Sequence, residues 1–292
     1  MKTIRDTWQW FLSSLQGVYP EKELQAMAKV IFCHFFSLGP AERVLNARLT
    51  VQPESIEILE KVIAQLRQRV PLQYITGLAH FLDLELEVDH RVLIPRPETE
   101  ELVQWVIDTL QKERGSLEAP WSVLDIGSGS GCIPIALAGK MPKATIQACD
   151  VSAEALELAS HNARKNQVSV GFFLLDILKD NPPLLDLDVV ISNPPYVMEK
   201  EKRLMQPNVL DHEPHSALFV PDDDPLIFYR TIASKAFQWL NPGGFLFFEI
   251  NENLGRETKQ CIEKEGFVSI ELKKDLNGRV RMLRGRKPGK KA

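Results

Sequence analysis

The chain has 292 residues, 44% of them hydrophobic and 25% charged, the balance of a soluble globular protein with room for a catalytic domain and a smaller companion. A formal net charge of -4 argues against wholesale nucleic-acid binding, and no apolar run approaches the ~20 residues a bilayer-spanning helix needs. No charged-then-apolar leader opens the chain. The cysteines Cys33, Cys132, Cys149 and Cys261 lack metal spacing, so reduced thiols in a cytoplasmic protein are expected.

Four stretches, 3–15, 21–38, 41–48 and 53–69, carry apolar residues at helical spacing, broken by Gly17, Gly39-Pro40 and Val51-Gln52-Pro53. Together they predict a bundle of roughly four or five helices over 1–72. Its interior is expected to hold Trp8, Phe11, Phe32, Phe35, Phe36, Ile58 and Val62, with His34 in the core or at its boundary. Nothing in this pattern carries chemistry. A catalytically silent bundle ahead of an α/β domain reads most simply as a substrate-recognition module, with a purely structural cap as the alternative.

Over 73–92 the apolar period shifts towards two, with Phe81, Leu82, Leu84, Leu86 and Val88 set against acidic residues. This predicts a β-hairpin linker reaching 95. The run Leu93-Ile94-Pro95-Arg96-Pro97-Glu98-Thr99-Glu100 then leads into a helix through about 111. Negative charge in that first turn suits the helix dipole. Arg96, fixed between two prolines, either helps line a cleft or braces the junction.

Within 96–292 the strand pattern Ser122-Val123-Leu124-Asp125-Ile126 runs into Gly127-Ser128-Gly129-Ser130-Gly131 and then a helix over 132–140. Strand, glycine loop and helix form the layout of nucleotide-cofactor sites. A second strand, 144–148, ends at Asp150, and a helix follows over 153–165. The distance from loop to acid, about twenty residues, suits a carboxylate gripping both hydroxyls of a ribose. A third strand, 170–175, ends in Asp176-Ile177.

The apolar run at 189–192 stops in Asn193-Pro194-Pro195-Tyr196, a buried strand delivering a rigid loop to the carboxyl edge of a sheet. The prolines fix φ and remove donors, so the loop offers acceptors. The Asn193 side-chain oxygen and the Pro194 carbonyl suit a planar amino group needing two acceptors, and Tyr196 is placed to stack on that plane. Further on come a helix at 226–239, a turn at 240–244, a strand at 245–250 and a closing hairpin of 267–272 with 280–284 around Asn277-Gly278. From Lys273 to the end there are nine Lys and Arg against the single Asp275, read either as a frayed terminus or as a contact for RNA or an acidic partner.

The glycine loop with Asp125, Asp150 and Asn-Pro-Pro-Tyr resembles the class I S-adenosylmethionine-dependent methyltransferases. That resemblance implies an α/β, doubly wound, mostly parallel seven-stranded sheet with an antiparallel edge. It also implies S-adenosylmethionine as donor and S-adenosylhomocysteine as product. The cofactor would be held by Asp125, Gly127, Ser128, Gly129, Ser130, Gly131, Asp150, Asp176, Ile177 and Asn193. Asp125 would orient the loop or the cofactor's amino group, and Asp176-Ile177 would sit beside the adenine.

Pro71-Leu72-Gln73-Tyr74 with Gly77, the Pro95 to Glu100 run, Asn193 to Tyr196, Glu213-Pro214, Phe228-Tyr229-Arg230 and Lys274 to Arg279 narrow the resemblance to the HemK family over nearly the whole chain. Asp83 and Pro225 depart from glycines usual there. The family implies methylation of N5 of the glutamine in the Gly-Gly-Gln motif of class 1 peptide chain release factors, hence a role in translation termination. Asn193 and Pro194 would be catalytic; Pro195, Tyr196 and Arg96 would join them in binding substrate. No metal, membrane or obligatory nucleic acid is expected, and a monomer is. Two alternatives share the acceptor motif: a ribosomal-protein glutamine methyltransferase and an adenine-N6 nucleic-acid methyltransferase.

Overall fold

The computed structural model describes residues 2–182 and 186–289. The chain divides into two compact units, one running up to Gly77 and including Gln206–His212, the other comprising Leu78–Met205 and the residues from Glu213 onward.

The first unit is helical: α1 (Ile4–Ser14), α2 (Glu21–Phe36), α3 (Pro40–Leu45), α4 (Pro53–Arg67) and α5 (Leu72–Thr76). Thr3 starts α1 with a capping box, its Oγ1 accepting from the Asp6 amide while the Asp6 carboxylate accepts from the Thr3 amide, worth about 1 kcal/mol. Trp8 and Phe11 pack edge-on against Phe32, with ring centroids 5.0 and 5.8 Å apart. Two expectations change. Ile58 is exposed and Leu59 takes the interior position, because the buried stripe of α4 follows Leu59, Val62, Ile63 and Leu66 and one residue turns a helix by about 100°. His34 is exposed too, its ring edge-on to Phe35 at 4.6 Å.

In the second unit β1 (Leu78–Phe81) and β2 (Leu84–Glu87) form the expected hairpin. It starts later than the sequence implied, since 72–76 are helical and end at Gly77 in the left-handed region, φ 71. There follow α6 (Pro97–Arg114), β3 (Ser122–Ile126), α7 (Cys132–Lys140), β4 (Thr145–Asp150), α8 (Ala153–Lys165), β5 (Gly171–Leu174), β6 (Leu187–Ser192) and β7 (Val197–Met198). After α9 (Pro207–Leu210), which belongs to the first unit, come β8 (Phe219–Val220), α10 (Ile227–Trp239), β9 (Leu240–Glu249), α11 (Gly255–Lys264), β10 (Val268–Lys274) and β11 (Val280–Arg286).

Seven strands form one sheet in the order β10-β11-β9-β6-β3-β4-β5. Only β11 runs against its neighbours. Period-two alternation sends successive strand residues to opposite faces: Val123, Ile191 and Phe247 pack with α6 and α7, while Leu124, Val190 and Phe248 pack with α10 and Ile262 of α11. Burying each such phenylalanine stabilises by roughly 1.5–3 kcal/mol. This is a doubly wound α/β sheet with an antiparallel edge, as the resemblance implies.

The basic C-terminal stretch is not a frayed tail as far as it is described. Much of it is β10 and β11, and its arginines meet acids: Arg284 pairs with Glu271 at 2.6 Å, Arg279 with Glu252 at 3.5 Å, and Arg286 with Glu113. Lys290 and Lys291 lie outside the described residues.

Candidate active site

From β3 the chain builds β4 and β5 outward on one side and then crosses back to place β6 on the other side of β3. The carboxyl ends of β3 and β6 therefore flank a topological switch point, where open α/β sheets bind ligands. Ile126 lies opposite Ser192, and Ser192 Oγ donates to the Ile126 carbonyl at 2.7 Å. A cavity of about 500 Å³ opens there, within the usual range for cofactor sites.

The glycine loop forms one wall, with Gly127, Ser128, Gly129 and Ser130 lining it. The amides of Gly127 and Ser128 both donate to the Cys149 carbonyl, at 2.8 and 3.1 Å. Gly127 and Gly129 take φ 77 and 51, and a Cβ on either would meet nothing within 4 Å, so the backbone presents an open cradle. Gly131 works inward instead. A Cβ there would lie 2.9 Å from Ile135 Cδ1 and 3.1 Å from Ala159 Cβ, so this glycine lets the start of α7 pack against α8.

Asp150, at the end of β4, accepts from the Gly129 amide at 2.9 Å on one oxygen and from the Ser152 amide at 2.9 Å on the other. The carboxylate thus fixes the loop while still lining the cavity. Asp176 and Ile177 line it as well, and Asp176 also closes a turn: Oδ1 accepts from the Leu178 amide and Oδ2 from Lys179 Nζ at 2.7 Å. The Lys179 contact holds the Asp176 carboxyl below its ordinary pKa.

Asn193, Pro194 and Pro195 form the facing wall, with Arg96 and Thr99 beside them. Arg96 donates to Glu213 Oε1 at 2.6 Å, and Glu213, 3% exposed, takes the Ile94 amide on its other oxygen. Arg96 therefore borders the cavity while its guanidinium is held by a buried carboxylate of the same unit.

Besides Gly131, two expected site residues do not line the cavity. Asp125 is wholly buried, and the Ile126 backbone gives its carboxylate only a weak contact that falls short of a well-formed hydrogen bond. Burial first, and the Asp150 charge second, push its pKa well above the ordinary carboxylate range. Tyr196 points its hydroxyl to Glu249 Oε1, 3.0 Å away, and it is Pro195 before it that lines the cavity.

Thr99 and Glu249 were not singled out for chemistry from the sequence. Thr99 Oγ1 donates to Glu249 Oε2 at 2.6 Å and accepts from Asn193 Nδ2 at 3.2 Å. Glu249 is 1% exposed, and burial is the main cause that raises its pKa. The available signal was a carboxylate closing the apolar run Phe245 to Phe248. The resulting site pairs a cradle for a cofactor with a rigid acceptor loop facing the same space. No helix among the described residues is long and apolar enough to cross a membrane.

Comparison with known proteins bears on the family and the fold. The methyltransferase small domain family matches residues 103–212, and the PrmC N-terminal domain family matches 6–77. A release factor glutamine methyltransferase of Flavobacterium psychrophilum is 42% identical over 94% of this chain and 95% of its own. One from Bacteroides thetaiotaomicron is 40% identical over 92% and 95%. Among solved structures, a methyltransferase from Pyrococcus furiosus matches with a TM-score of 0.52 and 19% identity, covering 80% of this chain and 98% of that one, a likeness of fold.

Proposed function

The chain belongs to the release factor glutamine methyltransferase family, and we propose that it methylates N5 of the glutamine in the Gly-Gly-Gln motif of class 1 release factors. The observation that carries this reading is that the glycine cradle, Asp150 and the Asn193-Pro194-Pro195 loop line one cavity. S-adenosylmethionine, when bound there, supplies an electrophilic methyl on a sulfonium. The open backbone at Gly127 and Gly129 fits its methionine portion, and the loop of 127–131 carries no Lys or Arg, as suits a cofactor without phosphate. Asp150 would hold the ribose, and Asp176 with Ile177 the adenine. Asp125 would act from within the fold, beneath the loop.

A primary amide nitrogen is a weak nucleophile because its lone pair is delocalised. Asn193 Oδ1 and the Pro194 carbonyl would accept both of its N–H bonds, raising electron density on nitrogen and aiming it along the line of transfer. Positioning is then the main catalytic device. The cationic methylated amide is acidic enough to release its proton to solvent without a dedicated base. Pro195 shapes this wall, Arg96 borders it, and Tyr196 anchors it through Glu249. The helical unit, which matches the PrmC N-terminal domain family, serves as the recognition module, since it carries no chemistry of its own. The enzyme acts in the cytoplasm as a monomer and needs no nucleic acid.

The test is transfer of labelled methyl from S-adenosylmethionine to an unmodified class 1 release factor, beside a Gly-Gly-Ala variant and duplex DNA. Label on the release factor alone, absent from the variant, is expected. Label on DNA or on the variant would overturn the assignment.

A further inference from the structure

We infer that Glu249, acting through Thr99, is a positioning residue that dictates which way the Asn193 amide faces. The inference rests on the acceptor role proposed for Asn193. An asparagine side chain has nearly the same shape with its oxygen and nitrogen exchanged, so packing alone does not choose between the two orientations. Hydrogen bonding does. Thr99 Oγ1 has a single proton, and the Glu249 carboxylate, an acceptor only, takes it across 2.6 Å. Towards Asn193 the threonine oxygen is then left as an acceptor. Nδ2 must turn to it, as found at 3.2 Å, and Oδ1 is delivered to the opposite side, where an amide N–H needs an acceptor.

The chain of bonds is buried at its origin. Thr99 is 3% and Glu249 1% exposed, and the other carboxylate oxygen is occupied by the Tyr196 hydroxyl. Glu249 therefore has little freedom to rotate away, and water does not compete for Thr99. With a proton on Glu249 the logic reverses: the acid donates to Thr99, the threonine proton turns to Asn193, and the amide is drawn round to present Nδ2 to a substrate that is itself a donor. The groups facing Glu249 are Tyr196 from the β6 loop, Tyr229 from α10, Glu98 and Thr99 from α6, Cys132 from α7 and Arg281 from β11. Arg281 and the two side-chain hydrogen bonds favour the carboxylate, while burial and Glu98 oppose it.

The experiment compares wild-type protein with Thr99→Val, Thr99→Ser, Glu249→Gln and the double variant T99V/E249Q. It reads kcat on a release factor, dissociation constants for S-adenosylmethionine, and the pH profile of kcat. Removing one orienting hydrogen bond corresponds to about tenfold. T99V and E249Q should each lose about that much in kcat with cofactor affinity within about twofold of wild type, and the double variant should be no worse than the poorer single one, because both cut the same chain. T99S should recover most of what T99V loses. The acid limb of the wild-type pH profile should flatten in E249Q, which a merely structural role would not produce. Full-rate T99V or E249Q, a double variant whose losses multiply, or an equal loss in cofactor affinity overturns the relay. Failure of the wild-type protein itself to label a release factor sinks the functional reading instead, so the two failures are told apart.

Discussion

Tyr196 and Glu249 are joined by a 3.0 Å hydrogen bond from the phenol to Oε1, which ties the loop after β6 to the end of the neighbouring strand β9. Asn251, two residues further on, adds a second tie by donating to the Tyr196 carbonyl at 3.0 Å. Both anchors lie behind the wall that Asn193 and Pro194 present to the cavity. The rigidity of that wall thus comes from β9 as much as from its own prolines.

Tyr196→Phe keeps the ring and removes the donor, leaving an oxygen of a buried carboxylate unpaired. Such a loss costs about 1–3 kcal/mol, which for a domain of this size lowers Tm by roughly 2–4 °C per kcal/mol. Scanning calorimetry checks it. An unchanged Tm would mean that the Tyr196 hydroxyl contributes nothing to the anchor.

Asn193→Ala removes the side-chain acceptor but leaves the Pro194 carbonyl and the glycine cradle in place. By analogy with deleting one orienting polar group at a reacting centre, kcat should fall by at least ~100-fold, with cofactor affinity largely kept. Single-turnover methyl transfer beside calorimetric binding separates the two effects. Near-normal turnover would remove Asn193 from the mechanism.

The parts of this molecule written in local sequence were readable: the glycine loop, Asp150 closing a strand, the proline-stiffened loop and the helical bundle all depend on residues within one or two turns of each other. The Asn193, Thr99 and Glu249 chain was not, because Thr99 and Glu249 are separated by 150 positions and meet only once β9 lies beside β6. Helix α11 is so charged on average that it does not read as an apolar run, although its buried residues Gly255, Thr258 and Ile262 fall on one face. Tyr196 shows the same limit: the motif speaks to its ring, whereas the partner of its hydroxyl, Glu249, lies 53 positions away.

Gly127→Ala and Gly131→Ala should fail differently. Both sites have positive φ, 77 and 83, so each alanine carries roughly 1–2 kcal/mol of backbone strain. At Gly131 the methyl also collides with Ile135 and Ala159, adding about 1–3 kcal/mol of overpacking, so denaturant midpoints should fall furthest there. At Gly127 the methyl enters open cradle, and the larger effect should be weaker cofactor binding. Equal unfolding midpoints for the two variants would contradict the assignment of Gly131 to helix packing.

Asp150→Asn leaves one side-chain acceptor where two backbone amides, those of Gly129 and Ser152, now bind separate oxygens. One of them must lose its partner, and a hydrogen bond to a charged group is worth about 1.5–3 kcal/mol. S-adenosylmethionine affinity should drop by roughly 10- to 150-fold, while kcat at saturating cofactor changes far less. Titration calorimetry gives the first number and steady-state kinetics the second; a kcat loss with intact affinity would place Asp150 in the chemistry instead.

Asp125 should make stability depend on pH in a direction opposite to that of a salt-bridged acid. Burial and the Asp150 charge raise its folded pKa well above 3.8, so the folded chain holds a proton that the unfolded chain releases. Folding is then favoured by protonation, and unfolding free energy must fall as pH rises from about 3.9 towards the folded pKa. One proton sets the limit at about 1.4 kcal/mol per pH unit. Asp125→Asn mimics the neutral acid in shape and does not titrate. In cofactor-free protein, urea unfolding between pH 5 and pH 8 should show wild type losing stability faster than the variant, the two differing most at the alkaline end. Glu249, also raised by burial, contributes the same trend to both proteins and cancels in the difference. Parallel stability profiles would show that Asp125 is ionised in the folded state and would overturn this prediction.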